Sequence, residues 1–404
     1  MSHAVSLPLP SELASFPVSS GEAGAGAVLT VDLSALRANY RLLRAKVAPA
    51  RCAAVVKANG YGLGAELVAS TLAAEGCRDF FVAHLEEALR LRPHLDADRA
   101  LYVLHGLPPG TEALAARHGL IPVLNSLDQV EAWQRQGRIE GRALPAFLQI
   151  DSGMSRAGLA PAEIEQVVRE PKRLAGIAWA GFMSHLACAD ASDPAPNTQQ
   201  LAAFTAARAR LAALGPGSGP GSGLGPGTVP ASLAASSGIF LGAEYHFDLV
   251  RPGAALYGVN PVPGRPNPMR PVVRLDARIL QCREVPAGTS VGYGHTWTAR
   301  RTTRLATVSV GYADGFPRSG GATGSAFIGG IEVPFAGRIS MDMLSLDVTD
   351  VPPAALAVEF PVELIGPNRT LDAAAASAGT IGYELLTGLG HRYHRRILDS
   401  KTGS

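Results

Sequence analysis

Lys57 closes the apolar run Ala53-Ala54-Val55-Val56 and opens Ala58-Asn59-Gly60-Tyr61-Gly62-Leu63-Gly64, a stretch rich in turn formers. Of 36 lysines and arginines, only Lys46, Lys57, Lys172 and Lys401 are lysine. A genome biased toward arginine accounts for that scarcity, but not for where Lys57 stands. Only a primary amine condenses with an aldehyde, so a lysine that forms a Schiff base cannot be exchanged for arginine. A lysine ending a strand is otherwise an ordinary solvated charge. The apolar flank before it and the glycine-rich turn after it favour the chemical role. No comparable metal chemistry is expected, because neither the histidines nor Cys52, Cys77, Cys188 and Cys282 show ligand spacing. The thiols read as free, and buried by default.

A reactive lysine needs a rigid strand end beneath it. Apolar or aromatic runs at 53–56, 80–83, 101–104, 121–124, 146–150, 176–184, 229–234 and 247–250 read as strands. Helical stretches at 64–75, 86–91, 112–117, 127–136, 161–169 and 199–214 separate most of them. Connecting helices make the strands parallel, and eight such units close into an α/β fold, a (β/α)8 TIM-like barrel. A doubly wound open sheet is the alternative. In a barrel the C-terminal strand ends carry the active site, which is where Lys57 falls. After the Pro-rich segment near 268, strand-like alternation dominates (272–279, 304–310, 327–328, 332–335, 343–348), with one helix at 371–378. The expected division is a flexible arm at 1–26, the barrel at 27–268 and a mostly-β domain at 269–404. The run 215–230 reads as a surface loop.

A chain of 404 residues suits a barrel plus a second domain, and a net charge of +2 gives no basic excess for nucleic acid or an anionic membrane. The first twenty residues lack the basic region and apolar core of a signal peptide. The longest apolar stretch, 174–189, is too short to span a bilayer. A cytoplasmic protein is expected.

The segment Val55-Val56-Lys57-Ala58-Asn59-Gly60-Tyr61-Gly62-Leu63-Gly64 resembles the pyridoxal-phosphate attachment signature of alanine racemases, with Gly60 and Leu63 where the family usually has Ala and His. Further matches follow in family order: Ile150-Asp-Ser-Gly-Met-Ser-Arg156, Ser184-His185, Val250-Arg251-Pro-Gly253, Val310-Gly-Tyr312-Ala-Asp-Gly, Gly337-Arg-Ile-Ser-Met341-Asp342 and Ile381-Gly-Tyr383-Glu. Each motif alone is weak, but seven in order across two domains form a specific resemblance, covering 27–396.

The resemblance implies a homodimeric enzyme that interconverts L- and D-alanine for bacterial peptidoglycan by a two-base mechanism. Lys57 would hold pyridoxal 5'-phosphate and serve one face of the substrate. Tyr312 would serve the other, reaching across a dimer interface from the second domain of the other subunit. A phenol has an ordinary pKa of about 10, so it needs a hydrogen-bonding or cationic neighbour to act near neutrality. His185 and Arg251 are the candidates. Arg251 would face the pyridine nitrogen, and Tyr61, Ser236, Gly253 and Tyr383 the phosphate, with His185 also in the cofactor site. Arg156 and the backbone of Met341 would meet the substrate carboxylate, supported by Gln149 and Asp342.

Two departures from the family pattern bear on the supports. Gln149 replaces a lysine that is often carbamylated to position the arginine, and the expectation is that its amide holds Arg156 instead. Ser232 replaces a histidine that often supports the pyridine-facing arginine, which is expected to weaken that support. A racemase of broader specificity (serine, lysine or arginine) and a non-enzymatic pyridoxal-phosphate carrier are the alternatives. The second domain with its own Tyr312 argues against the carrier.

Overall fold

The computed structural model describes residues 22–214, 229–321 and 323–399. Residues 1–21 of the arm expected at 1–26, the segment 215–228 of the glycine-rich loop and Lys401 lie outside the described residues. Short buried strands build the first sheet. Ala54–Val55, Asp79–Val82, Ala100–Val103, Ile121–Leu124, Leu144–Gln149, Ile177–Met183 and Ala231–Ser232 pair in that order, all in parallel. Arg51–Cys52 pairs in parallel with Leu249–Val250. The amides of Ala53 and Val55 carry that ladder on to the carbonyls of Val250 and Pro252, at 2.9 and 3.0 Å. On its other side the last strand is joined to the seventh by a parallel bridge between Ala235 and Arg251. The ring of eight is thereby closed, and the barrel expected from the apolar runs is present.

The inside is filled by aromatic rings. Phe81 stacks on Tyr102 with centroids 4.4 Å apart, and Phe147 meets Tyr102 edge-on at 5.2 Å. Gly181 lies so close to Phe147 that a Cβ there would fall 2.2 Å from the ring. At the N-terminal strand ends, Asp79 accepts hydrogen bonds from Arg51 Nη1 and the Tyr102 hydroxyl, both at 2.9 Å. That end is packed and paired; the opposite end is left for a site.

The second domain is built mainly from strands. Ile331–Pro334, Ser325–Ile328, Val362–Ile365, Val273–Ala277, Ala27–Asp32 and His394–Leu398 form a six-stranded sheet in that order. Ile279–Val285, Thr303–Val308 and Leu344–Asp347 form a three-stranded antiparallel one. Here the sequence expectation needs correcting. Ala27–Asp32, grouped with the barrel, pairs antiparallel with Val273–Ala277 and parallel with His394–Leu398. Glu22, assigned to a flexible arm, is buried and bonded through both carboxylate oxygens to Arg396, at 2.7 and 2.9 Å. The chain therefore enters the barrel from the other domain, through the helix Leu33–Val47. Asp32 caps that helix by accepting from the amides of Ser34 and Ala35. The cysteines are free, but Cys282 is exposed on its strand, not buried.

Candidate active site

Lys57 emerges at the C-terminal end of Ala54–Val55, on the rim of the barrel. The four residues after it all lie in the left-handed region, with φ of 53° at Ala58, 54° at Asn59, 61° at Gly60 and 54° at Tyr61. Gly60 adopts that conformation freely and Asn59 tolerates it, while Ala58 and Tyr61 each cost about 1–2 kcal/mol. The turn redirects the chain sharply. Tyr61 lands back on the barrel, its ring stacked on Tyr257 at 4.5 Å.

Above the barrel lies a cavity of about 1140 Å³. Lys57, Tyr61, Gln149, Arg156, His185, Ser236, Arg251, Gly253 and Tyr383 all line it, so nine of the residues singled out from the sequence converge on one space. Ser236 Oγ accepts hydrogen bonds from the amides of Gly253 and Ala255 at 3.0 and 3.1 Å, leaving its proton free to donate outward. A Cβ on Gly253 would sit 2.2 Å from the Tyr61 hydroxyl, so only glycine admits that hydroxyl.

Arg251 is buried, and among the described residues no carboxylate pairs with it. Its guanidinium instead donates to Ser232 Oγ and to the carbonyls of Ser184 (2.6 Å) and Leu233 (3.4 Å). Ser232 Oγ in turn donates to the Leu249 carbonyl at 2.5 Å. Ser232 thus takes up a supporting role that its departure from the family pattern was expected to weaken. Burial pushes the Arg251 guanidinium down to about 9. Burial, then Arg156 and Arg251, lowers the Lys57 amine below its ordinary range, while Glu87 works against them.

The expectation for Gln149 is not met. Its Nε2 donates to the Ala157 carbonyl at 3.2 Å, and among the described residues no hydrogen bond joins it to Arg156. Gln149 is buried at a strand end, and its amide bonds the backbone of the following turn. It props the loop that carries Arg156 and leaves the guanidinium open to the cavity. The other end of that loop is held by Asp151 Oδ1, which accepts from the amides of Gly153, Met154 and Ser155 at 2.9, 3.0 and 3.0 Å.

His185 is half-buried. Burial, with Arg251, Arg156 and Lys57 nearby, pushes its imidazole down to about 3. The sign of the consequence is fixed by linkage. Below about pH 6.5 an unfolded histidine takes up a proton that the folded one refuses until far lower pH. The ligand-free protein is therefore expected to lose stability as pH falls from 6.5 toward 3, by up to about 1.4 kcal/mol per pH unit from this group. Urea unfolding at a series of pH values should show a flatter acid limb for His185→Gln. An unchanged slope would mean that the folded imidazole takes up its proton over the same pH range as the unfolded one.

Tyr312, Met341 and Asp342 do not line this cavity; all three are exposed on the second domain. They do form one unit. The amides of Tyr312 and Ala313 donate to the carbonyls of Ser340 (3.0 Å) and Met341 (2.9 Å). Gly311 is packed so tightly there that a Cβ would meet the Met341 carbonyl oxygen at 2.2 Å. Arg392, not singled out from the sequence, ties the two loops by bridging Asp314 at 3.1 Å and Asp342 at 2.7 Å. Glu87 was missed as well. Its carboxylate accepts from the amide of Ala58, next to Lys57, at 2.6 Å. The signal for it was an acid three residues into a helix that opens on a strand end. Among the described residues no cluster of ligand side chains could hold a metal ion.

Residues 31–261 match the family model "Alanine racemase, N-terminal domain", and 272–397 match "Alanine racemase, C-terminal domain". A catabolic alanine racemase of Mesorhizobium japonicum is 49% identical over 383 residues, covering 95% of this chain and 96% of that one. An alanine racemase of Rhodospirillum rubrum is 47% identical over 381 residues, covering 94% and 98%. Among solved structures, alanine racemase from Bartonella henselae with covalently bound pyridoxal phosphate superposes with a TM-score of 0.84 at 41% identity, over 93% of this chain and 100% of that one. The biosynthetic enzyme of Pseudomonas aeruginosa gives 0.82 at 36% identity, over 93% and 100%. With both domains matched and the same residues gathered on the barrel rim, the chain belongs to the alanine racemase family.

Proposed function

We propose that the chain is a pyridoxal-phosphate enzyme that interconverts L- and D-alanine. One observation carries the reading. A cavity large enough for a cofactor and a small amino acid collects Lys57, Arg156 and Arg251 with no carboxylate pairing Arg251 among the described residues, and it depresses the affinity of Lys57 for its proton. Such a site suits a phosphorylated aldehyde and a substrate carboxylate. The residues fit the cofactor. Lys57 offers the amine, Ser236, Tyr61 and Tyr383 offer hydroxyls, Gly253 admits close approach, and Arg251 and His185 complete the wall.

Bound there, pyridoxal phosphate supplies the aldehyde for the substrate amine and a conjugated ring that makes the Cα proton removable. The chain's own groups do the rest. Lys57, uncharged at lower pH than a free lysine, takes or returns a proton on one face. Tyr312 of the partner subunit does so on the other, because racemisation must remove a proton from one side and deliver one to the opposite side. Arg156 holds the substrate carboxylate together with the backbone of Met341 of the partner subunit, and the partner subunit's Asp342 lies at the mouth. The exposure of Tyr312 away from its own cavity supports a dimer with shared sites. Among the described residues no helix is long and apolar enough to cross a membrane, and we place the enzyme in the cytoplasm.

D-Alanine made this way serves peptidoglycan. A degradative role is the second reading, favoured by relatives from Mesorhizobium japonicum and Agrobacterium fabrum that are named catabolic at 49% and 48% identity. Growth of a deletion strain separates the two: a D-alanine requirement supports the first, and failure to grow on alanine alone supports the second. The activity itself is tested by incubating cofactor-loaded protein with L-alanine, L-serine, L-lysine and L-arginine and measuring the D-isomers with a coupled oxidase. Interconversion of alanine fastest is expected. A yellow, cofactor-loaded protein that racemises none of them would overturn the reading.

A further inference from the structure

Four successive left-handed residues, three of them not glycine, make a turn that costs backbone strain and needs support from its surroundings. The turn bonds to itself through Gly60 N to the Val56 carbonyl at 2.9 Å, Gly62 N to the Ala58 carbonyl at 2.8 Å, Gly64 N to the Asn59 carbonyl at 2.9 Å and Leu63 N to the Gly60 carbonyl at 3.1 Å, with the Asn59 side chain accepting from Ala65 N at 3.0 Å. Two charged side chains grip its ends from outside. At the start, one Glu87 oxygen accepts from Ala58 N at 2.6 Å, while the other accepts from the amides of Ala83 and His84 at 2.7 and 3.1 Å. At the end, Arg395 Nη1 donates to the Gly62 carbonyl at 2.7 Å. Arg395 belongs to His394–Leu398, a strand of the second domain, 333 residues away in sequence.

We infer that Glu87 and Arg395 are positioning residues for Lys57 and Tyr61, the carboxylate anchoring the start of the left-handed turn and the guanidinium its end. The second domain then contributes to the lysine's geometry within its own chain, separately from any residue it lends to a partner. The inference rests on Lys57 as the cofactor anchor. Glu87 also has an electrostatic signature. It raises the proton affinity of Lys57, against Arg156 and Arg251, with His105 and His185 the titratable groups nearby.

The test uses full-length, cofactor-free protein carrying Glu87→Gln or Arg395→Met. Pyridoxal phosphate is titrated in and followed by visible absorbance. In parallel, the pH midpoint for acylation of Lys57 by an amine reagent is read by peptide mass analysis. Both variants are expected to bind pyridoxal phosphate about 10- to 100-fold more weakly, the range for losing a hydrogen bond to a charged group. Glu87→Gln should also move the acylation midpoint to lower pH, and Arg395→Lys should recover part of the lost affinity. Folded variants that bind within about twofold of the parent, with an unmoved midpoint, overturn the inference. So does an affinity loss that merely tracks a lower unfolding midpoint. If either variant fails to fold, Glu87→Asp and Arg395→Lys are judged by the same affinity criteria. Lys57→Ala run alongside separates the two layers. If it keeps the lysine-bound absorbance, the anchor is elsewhere; if it loses it while the clamp variants bind normally, only the clamp is wrong.

Discussion

Lys57→Ala is expected to abolish the visible absorbance of lysine-bound cofactor and to reduce racemase activity by at least about 10⁴-fold, beyond what loss of a general base alone usually costs. On the proposed mechanism two functions vanish together, the covalent anchor and one of the two bases. The substitution should not damage the fold. The amine it removes is desolvated and lies among Arg156 and Arg251, both of which disfavour its charge. Without it the cofactor-free protein should melt no lower than the parent, and this separates lost chemistry from lost structure. A variant that stays yellow with the parent's spectrum would place the attachment site elsewhere.

The place of Lys57 on the barrel rim was legible because its signal is local: an apolar strand, an amine and a turn within a dozen residues. The barrel was legible for a related reason. Its strands are buried on both faces, so each reads as a short apolar run, and the helices between them are amphipathic enough to mark the spacing. What escaped was long-range. Nothing within Ala27–Asp32 says that it pairs with Val273–Ala277 and His394–Leu398, because a short buried strand reads alike in either sheet. The grip of Arg395 on Gly62 spans both domains. Gln149 shows a further limit. Its identity revealed that no carbamate could form, but that the amide turns to the Ala157 carbonyl and not to Arg156 depends on the path of the following loop, which a single residue's identity does not carry. Ser232 shows the converse: a residue that departs from the common pattern can still hold Arg251, provided its hydroxyl has an acceptor behind it in the Leu249 carbonyl.

Mixing Lys57→Ala protein with Tyr312→Phe protein is expected to restore activity that neither has alone. Tyr312→Phe by itself should lose about 10²–10⁴-fold, the usual scale for a general acid–base group. The hydroxyl is exposed on the second domain, its loop tied to Met341–Asp342 by backbone bonds and by Arg392, and it does not line the cavity of its own chain. If it works in the partner's cavity, a mixed dimer holds one site with both bases and one with neither. After full subunit exchange at equal concentrations, about half the dimers are mixed, and about a quarter of the parent activity should return. Were both bases drawn from the same chain, every site in the mixture would lack one of them and no mixing ratio could help. Exchange itself is followed by mass, using tagged and untagged subunits. Demonstrated exchange without recovery would mean that Tyr312 acts within its own subunit or not at all. If it does not act at all, the cavity needs another group on the face opposite Lys57, and His185 and His105 are among the titratable side chains that line it.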